Sequence, residues 1–183
     1  ELIDPSTGGF TEVLRNRVVL PFSGSYEDLR HVVVHGLTHA YMFDMLYGGI
    51  LESMLGREYM FQPPLWFAEG LAEHESQYWS TEGDMIIRDG IINNYLPDIQ
   101  DIYGGYLVYK GGESFFKFVQ EEYGGPDRWI AGEVLHSLRS TKDVDKSYKS
   151  VLGKGLEDLS KEWHRNLRED HWPDVKDREI PED

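Results

Sequence analysis

Residues 25–49 most constrain the fold of this chain, because their apolar side chains recur at every third or fourth position. The recurring residues are Leu29, Val33, Leu37, Ala40, Tyr41 and Met45. Such spacing predicts an amphipathic α-helix. Ser25 can cap its start, and consecutive glycines at positions 48 and 49 predict its end. The helix carries His35 and His39, so the fold must accommodate an imidazole pair on one helical face.

Four further helices are predicted from apolar periodicity and from end signals. They cover residues 65–79, 106–125, 127–140 and 155–170. The β-branched run 17–22 predicts a short edge strand, residues 50–64 predict a loop or broken helix, and residues 81–105 predict turns with short apolar pieces. We therefore expect an α+β fold that is mainly α, with a small N-terminal β element. We also expect residues 173–183 to form an acidic, extended tail.

Charge balance and the absence of cysteine narrow the classes of function. Lys and Arg number 18 against 33 Asp and Glu, a formal net charge of -15, which repels phosphate backbones and anionic lipids. We therefore expect no nucleic-acid partner, and no apolar run reaches the ~20 residues of a membrane span. With no cysteine, any metal must be held by His and carboxylate side chains. Because the chain does not begin with Met, we expect a fragment or processed product, which leaves localisation open.

The histidines have the spacing of a metal-ligand set. Residues four apart on a helix lie one turn above each other, so His35 and His39 can each offer a ring nitrogen about 2.0 to 2.1 Å from one zinc ion. His31 extends the row, and the pair of His31 and His35 satisfies the same rule. From spacing alone, a polar stripe explains these histidines equally well, because such pairs arise often by chance.

Two segments carry a resemblance to zinc peptidases. The segment "HGLTHA" resembles the zincin motif H-E-x-x-H, and "LWFAEGLAEHES" resembles the W-x-x-E-G-x-A-E segment of gluzincins. The resemblance implies three zinc ligands, namely His35, His39 and Glu69. It also implies that Glu73 fixes the tautomer of a ligand histidine, where composition alone would favour a solvated acidic helix face. His31 is then a partly solvated residue at the helix start or cleft rim.

A third segment supplies a candidate for stabilising negative charge. "VYKGGESFFKFV" is similar to the V-Y-x-K-G segment of aminopeptidase N-like gluzincins and to the Y-x-x-G-x-S-F segment of bacterial peptidase MA-like domains. In those families the tyrosine hydroxyl donates to the oxyanion of the tetrahedral intermediate, which implies that role for Tyr109. Tyr103 and Tyr106 lie nearby and compete with Tyr109 for it.

The resembling segments follow the order found in peptidase MA-like domains over most of the chain. The resemblance therefore implies a zincin-like, peptidase MA-like domain over residues 1–172 that hydrolyses peptide or protein substrates with Zn²⁺ as its cofactor. Some relatives are exported and continue into a propeller module. This implies an exported, periplasmic or extracellular protein whose residues 173–183 link to a further, propeller-like C-terminal domain.

Gly36 departs from the family pattern at the position of the catalytic glutamate. In the family reaction this glutamate takes a proton from the zinc-activated water and passes it to the leaving amine. Glycine can do neither, and a general acid-base group typically contributes about 10² to 10⁴ in rate, so we expect bound zinc but impaired hydrolysis. Three explanations stay open: an engineered substitution, a natural pseudoenzyme, or a replacement base such as Glu73 or Glu75.

Two other interpretations use the same residues differently. A non-catalytic pseudopeptidase module would hold an extended peptide or a partner protein in the cleft and along the strand at 17–22. A purely structural helical domain would bind no ion. Metal content separates the structural domain from the other two.

Overall fold

A computed structural model describes residues 10–12, 17–19, 24–48, 61–77 and 79–176 of the chain. The seven helices within these ranges are α1 Tyr26–Tyr47, α2 Leu65–Ser76, α3 Thr81–Ile92, α4 Leu107–Tyr123, α5 Ile130–Thr141, α6 Val144–Leu152 and α7 Leu156–Lys176. A short 3-10 helix, Ile99–Asp101, lies between α3 and α4. The prediction of a mainly helical chain is confirmed. No helix of the described ranges is both long enough and apolar enough to cross a membrane.

Two three-residue strands precede the helices. β1 Phe10–Glu12 pairs antiparallel with β2 Arg17–Val19, with Phe10 opposite Val19. Both strands lie beside α1. β2 falls within the run 17–22, whose remaining residues are outside the described ranges.

The start of α1 is defined by a side-chain cap and its end by a glycine. The Ser25 hydroxyl accepts a hydrogen bond from the Asp28 N–H at 3.2 Å, which satisfies a backbone donor that has no partner within the helix. Gly48 follows the last turn and donates its N–H to the Asp44 carbonyl at 2.7 Å. The helix that carries the histidines therefore has a hydrogen-bonded residue at each end. Between them, Met42 is buried and anchors the helix in the core.

An aromatic cluster forms the centre of the core. The Phe115 ring of α4 packs edge-on against Trp66 of α2, Tyr148 of α6 and Trp163 of α7, at centroid distances of 5.6, 5.8 and 5.7 Å. Edge-to-face pairs of this kind are favoured by the aromatic quadrupole. The Trp163 indole N–H also donates to the Ser114 hydroxyl at 3.1 Å. One ring of α4 therefore connects three other helices.

Two glycines let α2 and α4 approach at backbone distance. A Cβ atom added to Gly112 would lie 2.2 Å from the Trp66 carbonyl oxygen, and one added to Gly70 would lie 2.4 Å from Gly112 Cα. No side chain fits at either position. This contact holds Glu69 and Glu73 of α2 beside the N-terminal turns of α4.

The turn prediction for residues 81–105 is wrong over α3. Ser80 caps this helix by accepting from the Gly83 N–H at 3.0 Å, and Ile87 and Ile91, four apart, are buried in the core. The glycines that favoured turns lie on the packed side of the helix, where Gly90 meets Leu96. These glycines are therefore explained by close packing of the helix, whereas in the sequence alone they indicated turns.

Two further differences concern the C-terminal third. The sequence did not predict α6, which is capped by Asp143 at its start and ended by Gly153 at φ 74°. The extended tail is wrong for residues 173–176, because α7 continues to Lys176. Pro173 lies inside α7, although proline usually interrupts a helix interior, and for that reason the sequence placed the start of the tail there. Residues 177–183, and most of the predicted loop at 50–64, are outside the described ranges.

Replacing Gly112 with alanine should destabilise the protein by about 1 to 3 kcal/mol, because the new methyl group would force α2 and α4 apart. Urea unfolding followed by circular dichroism measures the change. Gly83→Ala is the control, because the added Cβ would come no closer than 3.3 Å to a neighbouring group. This substitution should change the free energy of unfolding by less than about 1 kcal/mol. Equal losses from both variants would contradict the close-approach argument.

Candidate metal centre

His35 and His39 occupy successive turns of α1 and point the same ring nitrogen to one place. Their Nε2 atoms are 3.1 Å apart, and the rings meet edge-on at a centroid distance of 4.9 Å. Their side chains are 21% and 13% exposed. Both rings are thus largely shielded but still reached by solvent.

Glu69 of α2 completes a triangle with the two histidines. Its Oε2 lies 3.2 Å from His39 Nε2 and 3.2 Å from His35 Nε2. Ligand atoms at zinc distances in tetrahedral geometry stand about 3.3 to 3.4 Å from one another. The three predicted ligand residues therefore converge with a spacing that fits one small divalent cation, and they form one of two groups in the described ranges that could hold a metal ion.

The local sequence of α2 explains how Glu69 is presented. The helix begins after Pro64, which fits the preference of proline for the first positions of a helix. Trp66 and Phe67 are 1% and 0% exposed and anchor the helix in the core, with Phe67, two positions before Glu69, on the side opposite to it. Glu69 is left on the side that faces α1.

Glu73 lies one turn after Glu69 and divides its two oxygens between different partners. Oε1 is 3.1 Å from His35 Nδ1. The two groups form an ion pair when His35 is protonated, but the geometry is not that of a hydrogen bond. Oε2 accepts from Lys110 Nζ at 2.7 Å and from Gln77 Nε2 at 2.5 Å. Glu73 therefore contacts the far side of a candidate ligand ring, as a residue that orients His35 would.

The second group that could hold a metal ion consists of His31, His35 and Glu73. His31 Nε2 is 3.4 Å from Glu73 Oε1, and its Nδ1 is 3.3 Å from the Ser76 hydroxyl. The Lys110 ammonium already compensates the Glu73 charge at 2.7 Å, which disfavours a second cation on the same carboxylate. The group that contains Glu69 is therefore the better candidate for a metal position. His31 is 31% exposed, in agreement with its predicted place at the rim.

Tyr109 is the least exposed of the three tyrosines that compete for the oxyanion role. It is half-buried against the core, whereas Tyr103 and Tyr106 are 76% and 47% exposed. Burial raises the pKa of the Tyr109 hydroxyl, and the charges of Glu69 and Glu73 raise it further. The hydroxyl therefore keeps its proton at neutral pH, as a hydrogen-bond donor must.

Gly36 is buried within α1, between the two histidines. The carboxylates considered as replacement bases are engaged elsewhere. Glu73 contacts His35 and Lys110, and Glu75 accepts from the Trp129 indole N–H at 3.1 Å.

The charges of the site perturb its titration. Burial opposes protonation of His35, but its close contacts with the negative charges of Glu69 and Glu73 outweigh it and raise its pKa to about 9. Burial likewise disfavours the charged form of Glu69, yet the hydrogen bonds from His35 and His39 prevail and lower its pKa to about 2. The balance is similar at Glu73, where His35 and Lys110 lower the pKa to about 2. In the absence of metal, the raised pKa favours the protonated form of His35 at neutral pH, between two carboxylates.

The sequence did not identify Lys110 and Glu113 as part of this environment. Lys110 is 4% exposed and Glu113 is 2% exposed, and their Nζ and Oε2 atoms are 2.9 Å apart. The available signal was an opposite-charge pair three positions apart within an otherwise small or apolar stretch, residues 107–116. Charged residues in a buried helix are rarely found without such a partner.

No protein-family model, curated protein or solved structure matches this chain. The geometry of the site and the sequence resemblance concern the same residues, His35, His39 and Glu69.

The metal-free protein should lose stability as the pH rises from 6.5 to 9. A histidine whose pKa is raised from 6.5 to about 9 contributes fully below pH 6.5, and its contribution disappears as the pH passes the folded-state value. Urea unfolding in the presence of a chelator at pH 6.5, 8 and 9.5 measures this loss. His35→Gln should remove most of the dependence, and a wild-type stability that is flat over this range would contradict it.

Proposed function

We propose that this chain is a zinc peptidase domain of the gluzincin, peptidase MA-like type that lacks its general base. The observation that carries the proposal is the convergence of His35 Nε2, His39 Nε2 and Glu69 Oε2 at mutual distances of 3.1 to 3.2 Å. Two imidazoles and one carboxylate are a donor set that zinc accepts in catalytic sites. A zinc ion held there would act as a Lewis acid toward water and toward a peptide carbonyl.

The remaining residues of the site have separate tasks. Glu73 orients the His35 ring through Nδ1, so that Nε2 faces the ion. Tyr109 donates its hydroxyl proton in a hydrogen bond to the negative charge that develops on the substrate carbonyl oxygen. Partial exposure of Glu69, at 20%, leaves the site open to a peptide.

Gly36 removes the residue that would accept the proton. With Glu73 and Glu75 committed to other partners, rescue by either is not supported. We infer that the chain binds zinc and hydrolyses peptides about 10² to 10⁴-fold more slowly than a form with a glutamate at position 36.

The wider domain assignment rests on the resemblance. We propose a zincin-like fold over residues 1–172, with the paired strands β1 and β2 as its N-terminal β element. Residues 173–183 would lead to a further, propeller-like domain of an exported, periplasmic or extracellular protein. The substrate class is a peptide or protein.

The absence of a base at position 36 favours one alternative. A pseudopeptidase with the same site would bind an extended peptide or a partner protein without cleaving it. It would retain its affinity for peptide after removal of zinc and gain no hydrolysis from a restored glutamate.

Protein purified without added zinc or a His-tag should contain one zinc per chain, measured by inductively coupled plasma mass spectrometry. His39→Ala and Glu69→Ala should each abolish stoichiometric binding, because two protein ligands are one short of the three that hold zinc in a catalytic site. His136→Ala is the control, since His136 is exposed on α5. Wild-type protein without bound zinc at micromolar free metal would overturn the proposal.

Gly36→Glu should raise peptide hydrolysis by about 10² to 10⁴-fold, measured by mass spectrometry of a diverse peptide library. Gly36→Gln controls for size without a base, and unchanged zinc content and melting temperature establish that each variant is folded. A folded, zinc-loaded Gly36→Glu protein that cleaves no peptide would favour the pseudopeptidase.

A further inference from the structure

The geometry points to Lys110 as a positioning residue for the metal site. Lys110 holds Glu73 so that its free oxygen faces His35, and it thereby ties the tyrosine-bearing helix α4 to the metal-binding helix α1. This inference rests on the proposed metal site. It assigns a task to a side chain that touches neither the ion nor the substrate.

The partners of Glu73 separate cleanly by oxygen. Oε2 accepts two hydrogen bonds, from Lys110 Nζ at 2.7 Å and from Gln77 Nε2 at 2.5 Å. Oε1 faces the histidines, at 3.1 Å from His35 Nδ1 and 3.4 Å from His31 Nε2. With one oxygen fixed by two donors, rotation of the carboxylate away from the His35 ring would break both bonds.

Burial makes the ion pair rigid. The side chains of Lys110 and Glu73 are 5% and 8% exposed, so neither charge can turn toward water without a large loss of interaction. Glu113 is the second acceptor of Lys110, at 2.9 Å. Lys110 is therefore held from the α4 side by Glu113 while it holds Glu73 on the α2 side.

The chain position of Lys110 links two parts of the site. It directly follows Tyr109, and Gly112, two residues later, is where α4 touches the α2 backbone. The same helix contact therefore brings Lys110 within reach of Glu73 and sets Tyr109 near Glu69. Loss of the Lys110 bond should affect the orientation of the His35 ring before it affects the overall fold.

A Lys110→Met variant tests this role by its metal affinity and by the spectrum of bound cobalt. Zinc affinity, measured by competition with a chromophoric chelator, should fall about tenfold, the lower end of the range for residues that orient ligand histidines. The visible absorption of the Co²⁺-loaded protein should change in position or intensity, because the His35 ligand moves. If Lys110 only compensated the charge of Glu73, its loss would leave the cobalt spectrum unchanged.

Glu113→Gln is the matched control. It removes the other carboxylate bonded to Lys110 but leaves the pair of Lys110 and Glu73 in place. Zinc affinity should stay within about twofold of wild type, with an unchanged cobalt spectrum, since a glutamine carbonyl oxygen can still accept the Lys110 hydrogen bond and the pair of Lys110 and Glu73 is kept. Equal losses of affinity in both variants would show that the buried charges serve folding only, and would overturn the inference.

Two further outcomes are distinguishable. Wild-type protein that binds neither Zn²⁺ nor Co²⁺ would overturn the proposed function itself, whereas wild-type binding that Lys110→Met leaves unchanged would overturn only the role of Lys110. Should Lys110→Met not fold, the double variant Lys110→Met, Glu113→Leu removes one buried charge of each sign, a change that proteins often tolerate. A tenfold loss of zinc affinity in that folded variant supports the inference, and unchanged affinity contradicts it.

Discussion

The contact between the backbones of α2 and α4 fixes the relative positions of Glu69, Glu73 and Tyr109, the candidate site residues that do not belong to α1. Gly112 meets the Trp66 carbonyl and Gly70 at distances that no Cβ atom could accept. Glu69 and Glu73 project from one of these helices and Tyr109 from the other. Because backbone atoms are stiffer than side chains, a contact of this kind fixes helix separation more tightly than interdigitated side chains would. The precision of the site thus originates in two residues without side chains.

The site brings together charged and polar groups, and its carboxylates would repel one another without positive charges between them. Two imidazole nitrogens and a carboxylate oxygen share one small volume, and a second carboxylate, Glu73, lies behind His35. Each negative charge has a positive partner nearby, from Lys110 or from a protonated His35 in the metal-free protein. In this arrangement the candidate ligand side chains are already in position in the folded protein before any ion binds.

The sequence predicted the three candidate ligands but not their surroundings. Helical spacing placed His35 and His39 on one face, and the resemblance to zinc peptidases selected that pair and added Glu69. The helix α3 was missed because its glycines have a packing function that looks like turn chemistry, and α6 is too short for apolar periodicity to mark it. Lys110 was missed for a different reason. A buried ion pair depends on which helices meet, and contacts 37 positions apart have no signature in a single sequence.

The imidazolium at His35 has a consequence for how the protein would acquire its cofactor. The raised pKa of His35 favours a proton between Glu69 and Glu73, where it offsets the repulsion between these two carboxylates of α2. Metal uptake would then replace the proton on His35 with the metal ion, at a site whose side chains are already in place. Acidic surroundings would slow that exchange and favour release, so occupancy would follow the proton concentration of the compartment as well as its zinc supply.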